Sequence, residues 1–364
     1  MSKREWREAE ELASRGRWQE AGERYAALVE RSARVKDTAA VRKAASLAAD
    51  AFRRDDRPAA AARMLMAARA AGKDDPTDAA QLAAVLLDAG QVEAGADIVG
   101  EAARKAADPV AETVALDTEV GLLLTLGRVE EARARADRLE TLGLPGAAIA
   151  LRFRRAQLDR LDGVLRSAEE RWIALERELS AWPQAAGPRG AALAELGELE
   201  LLRASVAADP GPGCERAIAH FDASGQAWAQ AGRRAGALRA EAWAARARAV
   251  AGETVVAPGI DRAVEYADDR GLHLLAADLR VCRAVVRHDA DEVLHALDRL
   301  AEAPLARGRA RVVRAELGGV SDLDLALTEL RSDGPWTARA LFALGRARGD
   351  QALLAEAAAR VEGW

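Results

Sequence analysis

Four histidines and two cysteines are the residues of this chain best suited to proton or metal chemistry, and their spacing supports neither. His288 and His295 flank an acidic stretch, HDADEVLH, in which Asp291 lies four residues before His295. On a helix Asp291 and His295 share a face. His288, however, falls at a turn, and a zinc site takes three or four ligands with their own hydrogen-bonded support. We read the stretch as solvated polarity. His220 and His273 have no partner at a defined spacing. Cys214 follows a Gly-Pro-Gly turn at a helix start, where a thiol pKa can fall, and Cys282 stands apart from it. Unpaired thiols fit a reducing, cytoplasmic setting. Glycine-rich phosphate loops, a nucleophile elbow, H-E-x-x-H and a Walker lysine are missing from the sequence. The expectation is no enzyme: no catalytic residue, no metal and no cofactor.

Arginine carries a clearer pattern. Arg239 and Arg246 are seven apart; Arg280, Arg283 and Arg287 follow i, i+3, i+7; Arg307, Arg311 and Arg314 follow i, i+4, i+7; Arg339 and Arg346 are again seven apart. Each set occupies one face of a helix. Such a stripe can grip carboxylates or phosphates through paired hydrogen bonds. The competing reading is a solvated face with arginine standing in for lysine, because only five of the 53 basic residues are lysine. Asparagine is absent altogether, and we read both biases as the mark of a GC-rich bacterial genome. Between Lys73 and Glu119, eleven acids stand against three bases. An acidic segment and a distant basic stripe permit self-association or a partner of segregated charge; solubilising surface is the plainer alternative.

The elements that must position these residues repeat. Units such as GRWQEAGERYAAL (16–28), DRPAAAARMLMAA (56–68), GQVEAGADIVGEA (90–102), GRVEEARARADRL (127–139) and DGVLRSAEERWIAL (162–175) recur, with turn anchors Gly16, Asp56, Gly90, Gly127 and Gly163 spaced by 40, 34, 37 and 36 residues. Each unit has an apolar face that it cannot bury alone, so copies must stack. Trp6, Ala9, Leu12 and Ala13 run at helical spacing into one such turn, and Trp18, Ala21, Tyr25 and Leu28 continue beyond it. Ala, Leu, Arg and Glu are strong helix formers, and aromatics are only 4% of the chain.

These features resemble the tetratricopeptide repeat. The resemblance rests on small residues at the helix crossing (Ala9, Ala49, Ala83), a Gly or Asp turn, and Trp18, Val92 or Val129 two places on. It continues in Ala21, Ala61, Gly95 and Ala132 as packing residues, with Tyr25, Leu65 and Val99 four later. After the first copy the expected aromatics are mostly replaced by aliphatics and the closing proline is missing except near Pro76, Pro109 and Pro145, and the resemblance is fair over residues 2–176 and weak beyond. The implied fold is all-α: a right-handed α-solenoid of about nine to ten antiparallel helical hairpins, arranged as one elongated array. The Pro- and Gly-rich SAWPQAAGPRG (180–190) marks a joint, giving an N-terminal subarray at 1–182 and a degenerate C-terminal subarray at 183–364, with helices beginning at 191 and 214 after the joint and after ADPGPG.

The resemblance further implies that first helices line a concave groove, which would place the ten arginines there. We therefore expect a non-catalytic scaffold or adaptor that binds a protein or peptide in that groove, with an acidic partner as one option. The second reading is a sensor that takes an anionic ligand or nucleic acid on the arginine face. Net charge −5 argues against nucleic acid, and the lack of asparagine argues against the family's carboxylate clamp. The longest uncharged run, Thr141–Leu151, contains eleven residues and Pro145, too short to span a bilayer. Trp6, Trp18, Trp172, Trp228, Trp243 and Trp336 fall on packing stripes, whereas Trp182 and Trp364 are not placed by the pattern.

Overall fold

The five residues expected to anchor turns all adopt the left-handed backbone: Gly16 (φ 72°), Asp56 (54°), Gly90 (75°), Gly127 (71°) and Gly163 (80°). In each turn the next amide donates to the carbonyl five residues back. These bonds join Arg17 to Leu12 at 3.0 Å, Arg57 to Phe52 at 2.8 Å, Gln91 to Leu86 at 2.8 Å, Arg128 to Leu123 at 2.9 Å and Val164 to Asp159 at 2.8 Å. They satisfy orphan carbonyls at the helix end, and a new helix starts after a single intervening residue.

The computed structural model describes residues 3–72, 75–144, 147–207, 209–255, 258–319 and 322–362. It is 83% helical, with no strand among the described residues. Ten hairpins follow in order. The first five are α1 (Lys3–Ser14) with α2 (Trp18–Arg34), α3 (Thr38–Arg54) with α4 (Pro58–Ala70), α5 (Pro76–Asp88) with α6 (Val92–Lys105), α7 (Pro109–Thr125) with α8 (Val129–Leu142), and α9 (Ala147–Leu161) with α10 (Leu165–Ser180). The second five are α11 (Ala186–Ala204) with α12 (Gly211–Gln230), α13 (Arg234–Val250) with α14 (Pro258–Arg270), α15 (His273–Arg287) with α16 (Ala290–Leu297), α17 (Pro304–Glu316) with α18 (Leu323–Glu329), and α19 (Gly334–Arg348) with α20 (Gln351–Val361). Successive helices pack on one another throughout, as an all-α solenoid requires.

Two Pro/Gly intervals were expected to be loops and are helical instead. A 3₁₀ turn at Pro183–Ala185 leads directly into α11, which contains Gly187, Pro188 and Gly190. α12 likewise starts within the Gly-Pro-Gly sequence. Proline lacks only an N–H that the first helical turn leaves unbonded anyway. The glycines admit a neighbour, since a Cβ on Gly190 would lie 3.0–3.1 Å from the Trp228 ring.

Ala21, Ala61 and Ala132 are fully buried, and a Cβ on Gly95 would lie 3.1 Å from the Ala83 carbonyl. Small residues therefore mark the crossings where two helices approach closest. The core is a chain of adjoining clusters, from Ala9, Tyr25 and Phe52 at one end to Trp336 and Leu344 at the other.

The array is not elongated, which corrects the expectation that each unit touches only its neighbours. α5 contacts α15, α7 contacts α17 and α9 contacts α19, so each hairpin involved meets the one five places later. Tyr266 donates its hydroxyl to Asp56 Oδ2 at 2.7 Å, and Arg270 pairs with the Asp55 carboxylate at 3.0 Å. The Glu93 amide donates to Glu302 at 2.9 Å. Leu305 joins the cluster formed by Val120, Leu123, Leu158 and Leu161. A Cβ on Gly334 would sit 3.2 Å from the Leu161 carbonyl. The hairpin turns of the first half thus rest on the connections between hairpins of the second, and an open interior channel lies between the first helices.

Candidate functional site: the interior channel

The channel is walled mainly by first helices of the hairpins, with Phe221, Ser224 and Trp228 of the second helix α12 on one side. Leu87 closes α5, Thr125 lies on α7, Glu198 on α11, Arg239 and Trp243 on α13, Asp278 on α15, Arg309 on α17 and Trp336 on α19. One cavity has a volume of about 400 Å³. A second, of about 610 Å³, extends past Phe153, Arg154 and Gln157 on α9 towards Trp228. Glu198, Arg239, Trp243 and Arg309 line both, so the two cavities adjoin.

Charges in the wall come mainly as pairs. Arg239 reaches Asp278 at 2.7 Å and Glu198 at 3.3 Å, and Asp278 also accepts from Trp243 Nε1 at 2.8 Å. Arg154 pairs with Asp117 at 2.8 Å, and Arg160 with Glu195 at 3.4 Å. Arg309 donates twice to Asp333, at 2.8 and 2.5 Å, and Asp333 is fully buried. The partners push the Arg239 pKa well up, the Asp278 charge foremost. Burial raises Glu198 above the usual carboxylate range, against the pull of Arg239. Asp88, at the end of α5, is exposed to the channel it lines; desolvation by the surrounding wall pushes its pKa up to about 6, opposed chiefly by Arg53.

All ten arginines of the expected stripe lie on first helices, but they do not form an unpaired surface. Arg280 pairs with Asp268 at 2.5 Å; Arg283 pairs with Asp261 at 3.2 Å and Glu292 at 2.5 Å; Arg287 pairs with Asp261 at 2.7 Å. Arg307 and Arg311 share Glu329 at 2.6 and 3.1 Å, Arg314 pairs with Asp322, and Arg339 pairs with Glu316 at 2.6 Å. Arg346 is exposed beside the Phe342 ring. Only Arg239 and Arg246 of the ten line the two large cavities. Periodicity shows that residues share a face, not which neighbour that face meets. Here most of the faces meet carboxylates presented by α14, α16, α18 and the connection before α18.

The acidic segment dissolves in the same way. Asp78 pairs with Arg42, Glu93 with Arg128, Glu112 with Arg138, Asp117 with Arg154 and Glu119 with Arg135. Asp74 and Lys73 lie outside the described residues, as does Trp364. Trp182 is 44% exposed at its joint. His288 caps α15 in the left-handed conformation, and among the described residues no three His, Cys, Asp or Glu side chains are grouped to hold a metal. Cys214 and Cys282 are buried free thiols. Burial pushes both up in pKa, the reverse of the lowering expected for Cys214 at a helix start.

Reading the sequence missed Arg309, Glu198, Asp278 and the wall role of Trp243 and Trp336. The two indoles do lie on packing stripes and are 8% and 6% exposed; that remainder faces the cavity. Nothing in the spacing separates an indole that fills a core from one that walls a channel.

Fold and channel together define an all-α repeat protein of stacked antiparallel hairpins with an open interior. No family model matches the chain, and no curated protein matches it. Among solved structures it is similar to the crystal structure of yeast Tom70, at 12% identity over 88% of this chain and 91% of that one, with a TM-score of 0.29. Among the described residues no helix is long and apolar enough to cross a membrane.

Proposed function

We propose that the chain is a non-catalytic binding protein, a scaffold or adaptor whose interior channel takes a segment of a partner protein. The observation that carries this reading is the convergence of first helices from both halves of the array on two adjoining, largely apolar cavities with paired charges in their walls. Volumes of this order suit a ligand or a few residues of peptide. The pairing gives the wall no single sign, so the segment is of mixed polarity and need not be acidic.

Catalysis is disfavoured by how the wall spends its polar groups. Neither cavity is lined by histidine or cysteine. The hydroxyl of Thr125 donates to the Gly121 carbonyl and that of Ser224 to the Gly190 carbonyl, which leaves no activated nucleophile beside the raised carboxyls of Asp88 and Glu198. Buried free thiols fit a reducing compartment, and we propose a cytoplasmic setting on that ground.

Selection from a displayed random-peptide library tests the reading. Ala306 lines both cavities and is partly exposed, so Ala306→Trp should obstruct the channel and weaken selected peptides at least about tenfold, the equivalent of some 1.4 kcal/mol. Peptides that bind Ala306→Trp as well as the natural chain would place the interaction elsewhere and overturn the proposal.

A further inference from the structure

Arg246 is the exception among the arginines of the channel. It stands on α13 three residues past Trp243 and is 3% exposed, with its guanidinium 4.7 Å from the centroid of that indole. Its Nε has no hydrogen-bond partner, and among the described residues no carboxylate forms an ion pair with it. Its neighbours differ. Arg239 has Asp278, Arg309 has Asp333 and Arg339 has Glu316. Arg246 lines the 400 Å³ cavity and also a narrow cleft behind it, shared with Trp336 and Arg339.

Burial lowers the pKa of this guanidinium, yet arginine keeps its proton at neutral pH. The interior therefore holds a positive charge that no protein group cancels at contact. Such a charge is costly to bury unless paired, and an anion arriving with a ligand would relieve the cost. The remaining wall restricts that anion. Val281, Leu300, Ala310, Val313 and Trp336 present apolar surface to the same cavity. Asp278 and Glu198 flank it and would repel a second negative charge. One uncompensated cation beside apolar surface, in a volume within the range of about 300–1,000 Å³ common to small-molecule sites, selects a single charge on an apolar body.

We propose that this pocket binds a small organic monocarboxylate, its carboxylate accepting from the terminal amino groups of Arg246 and its apolar body lying against Val281, Val313 and Trp336. This is a small-molecule site that nothing in the peptide reading requires.

The test uses the full chain and a fixed set of probes: octanoate, 3-phenylpropionate and indole-3-propionate, each beside its primary amide, together with inorganic phosphate. Titration calorimetry and quenching of tryptophan emission report binding. At least one acid should bind with one-to-one stoichiometry, with its amide about 10- to 100-fold weaker, as loss of a charge-assisted hydrogen bond implies, and phosphate should not compete. Arg246→Met removes the charge while keeping an unbranched, apolar stem. It should bind the acid no better than the natural chain binds the amide, without a fall in melting temperature. Arg246→Lys serves as a second variant should Arg246→Met fail to fold, and it should lose at least about tenfold because ammonium cannot reproduce the planar fork. The proposal is overturned if none of the three acids binds, if acid and amide bind alike, or if the folded variant keeps the affinity of the natural chain. Library peptides that still respond to Ala306→Trp after such a result would leave the peptide reading standing, and bound acids without any bound peptide would do the reverse.

Discussion

Asp56 and Tyr266 lie 210 residues apart in sequence and share a hydrogen bond of 2.7 Å. Asp56 is the only one of the five turn anchors that is not glycine, and its left-handed φ of 54° is unfavourable for an L-residue. The carboxylate accounts for the choice. A glycine would make the turn without strain but could not hold the second half of the superhelix against the first.

Tyr266→Phe should cost about 0.5–1.5 kcal/mol, the range of one intramolecular hydrogen bond, read from the urea midpoint. Amide exchange should accelerate mainly around 55–57 and 266–272. At position 56, Asp56→Ala should be worse than Asp56→Gly, because alanine loses the bond and retains the strain, whereas glycine recovers roughly 1 kcal/mol of backbone strain. Equal losses from the two would show that strain does not matter there.

The Asp333–Arg309 pair should dominate the arginine interactions energetically. Asp333 is fully buried, accepts from the Trp336 amide at the start of α19, and takes two hydrogen bonds from Arg309. Asp333→Ala leaves Arg309 without its close partner and should cost about 3–5 kcal/mol in chemical denaturation. Arg287, whose side chain is 44% exposed, should lose no more than about 1 kcal/mol on change to alanine.

Asp88 gives the fold a pH dependence of defined sign. Its folded pKa, about 6, lies above the ordinary 3.8, so the folded state binds the proton more tightly than the unfolded chain does. The stability it contributes is full below about pH 4 and lost as pH rises through 6. Asp88→Asn should therefore raise the melting temperature at pH 8 relative to the natural chain and change it little at pH 4. Parallel melting curves at both pH values check this, and a shift confined to acid would reverse the assignment.

Crossing positions admit no bulk. Ala61 is fully buried between α3 and α4, and Ala61→Trp should destabilise by at least about 1–3 kcal/mol through overpacking. An unchanged melting temperature would mean that the crossing lies elsewhere.

Local features of this fold were legible because local chemistry sets them. The glycines at 16, 90, 127 and 163 mark left-handed turns, and Ala21, Ala61 and Ala132 mark crossings, since in each case only a small or unhindered residue fits. Pro188 and Gly211 misled because a proline or glycine in the first turn of a helix resembles one in a loop. The pairing of Arg283 with Glu292, or Arg311 with Glu329, was open to inspection of the acids on the following helix. The channel was not legible. It arises where Leu305 lies against Gly127 and Tyr266 meets Asp56, and no helical period encodes contacts between hairpins five apart.

That five-hairpin spacing changes what variation the chain can accept. In an array whose units meet only their neighbours, one more unit lengthens the rod and leaves the rest intact. Here an extra hairpin of some 35 residues inserted between α10 and α11 would carry Asp56 past Tyr266 and present it to the wrong connection, while Leu305 would lose its socket. Copy number is therefore locked as teeth are in a gear train, and duplication or loss is tolerable only at the ends, beyond the outermost contacts between the two coils.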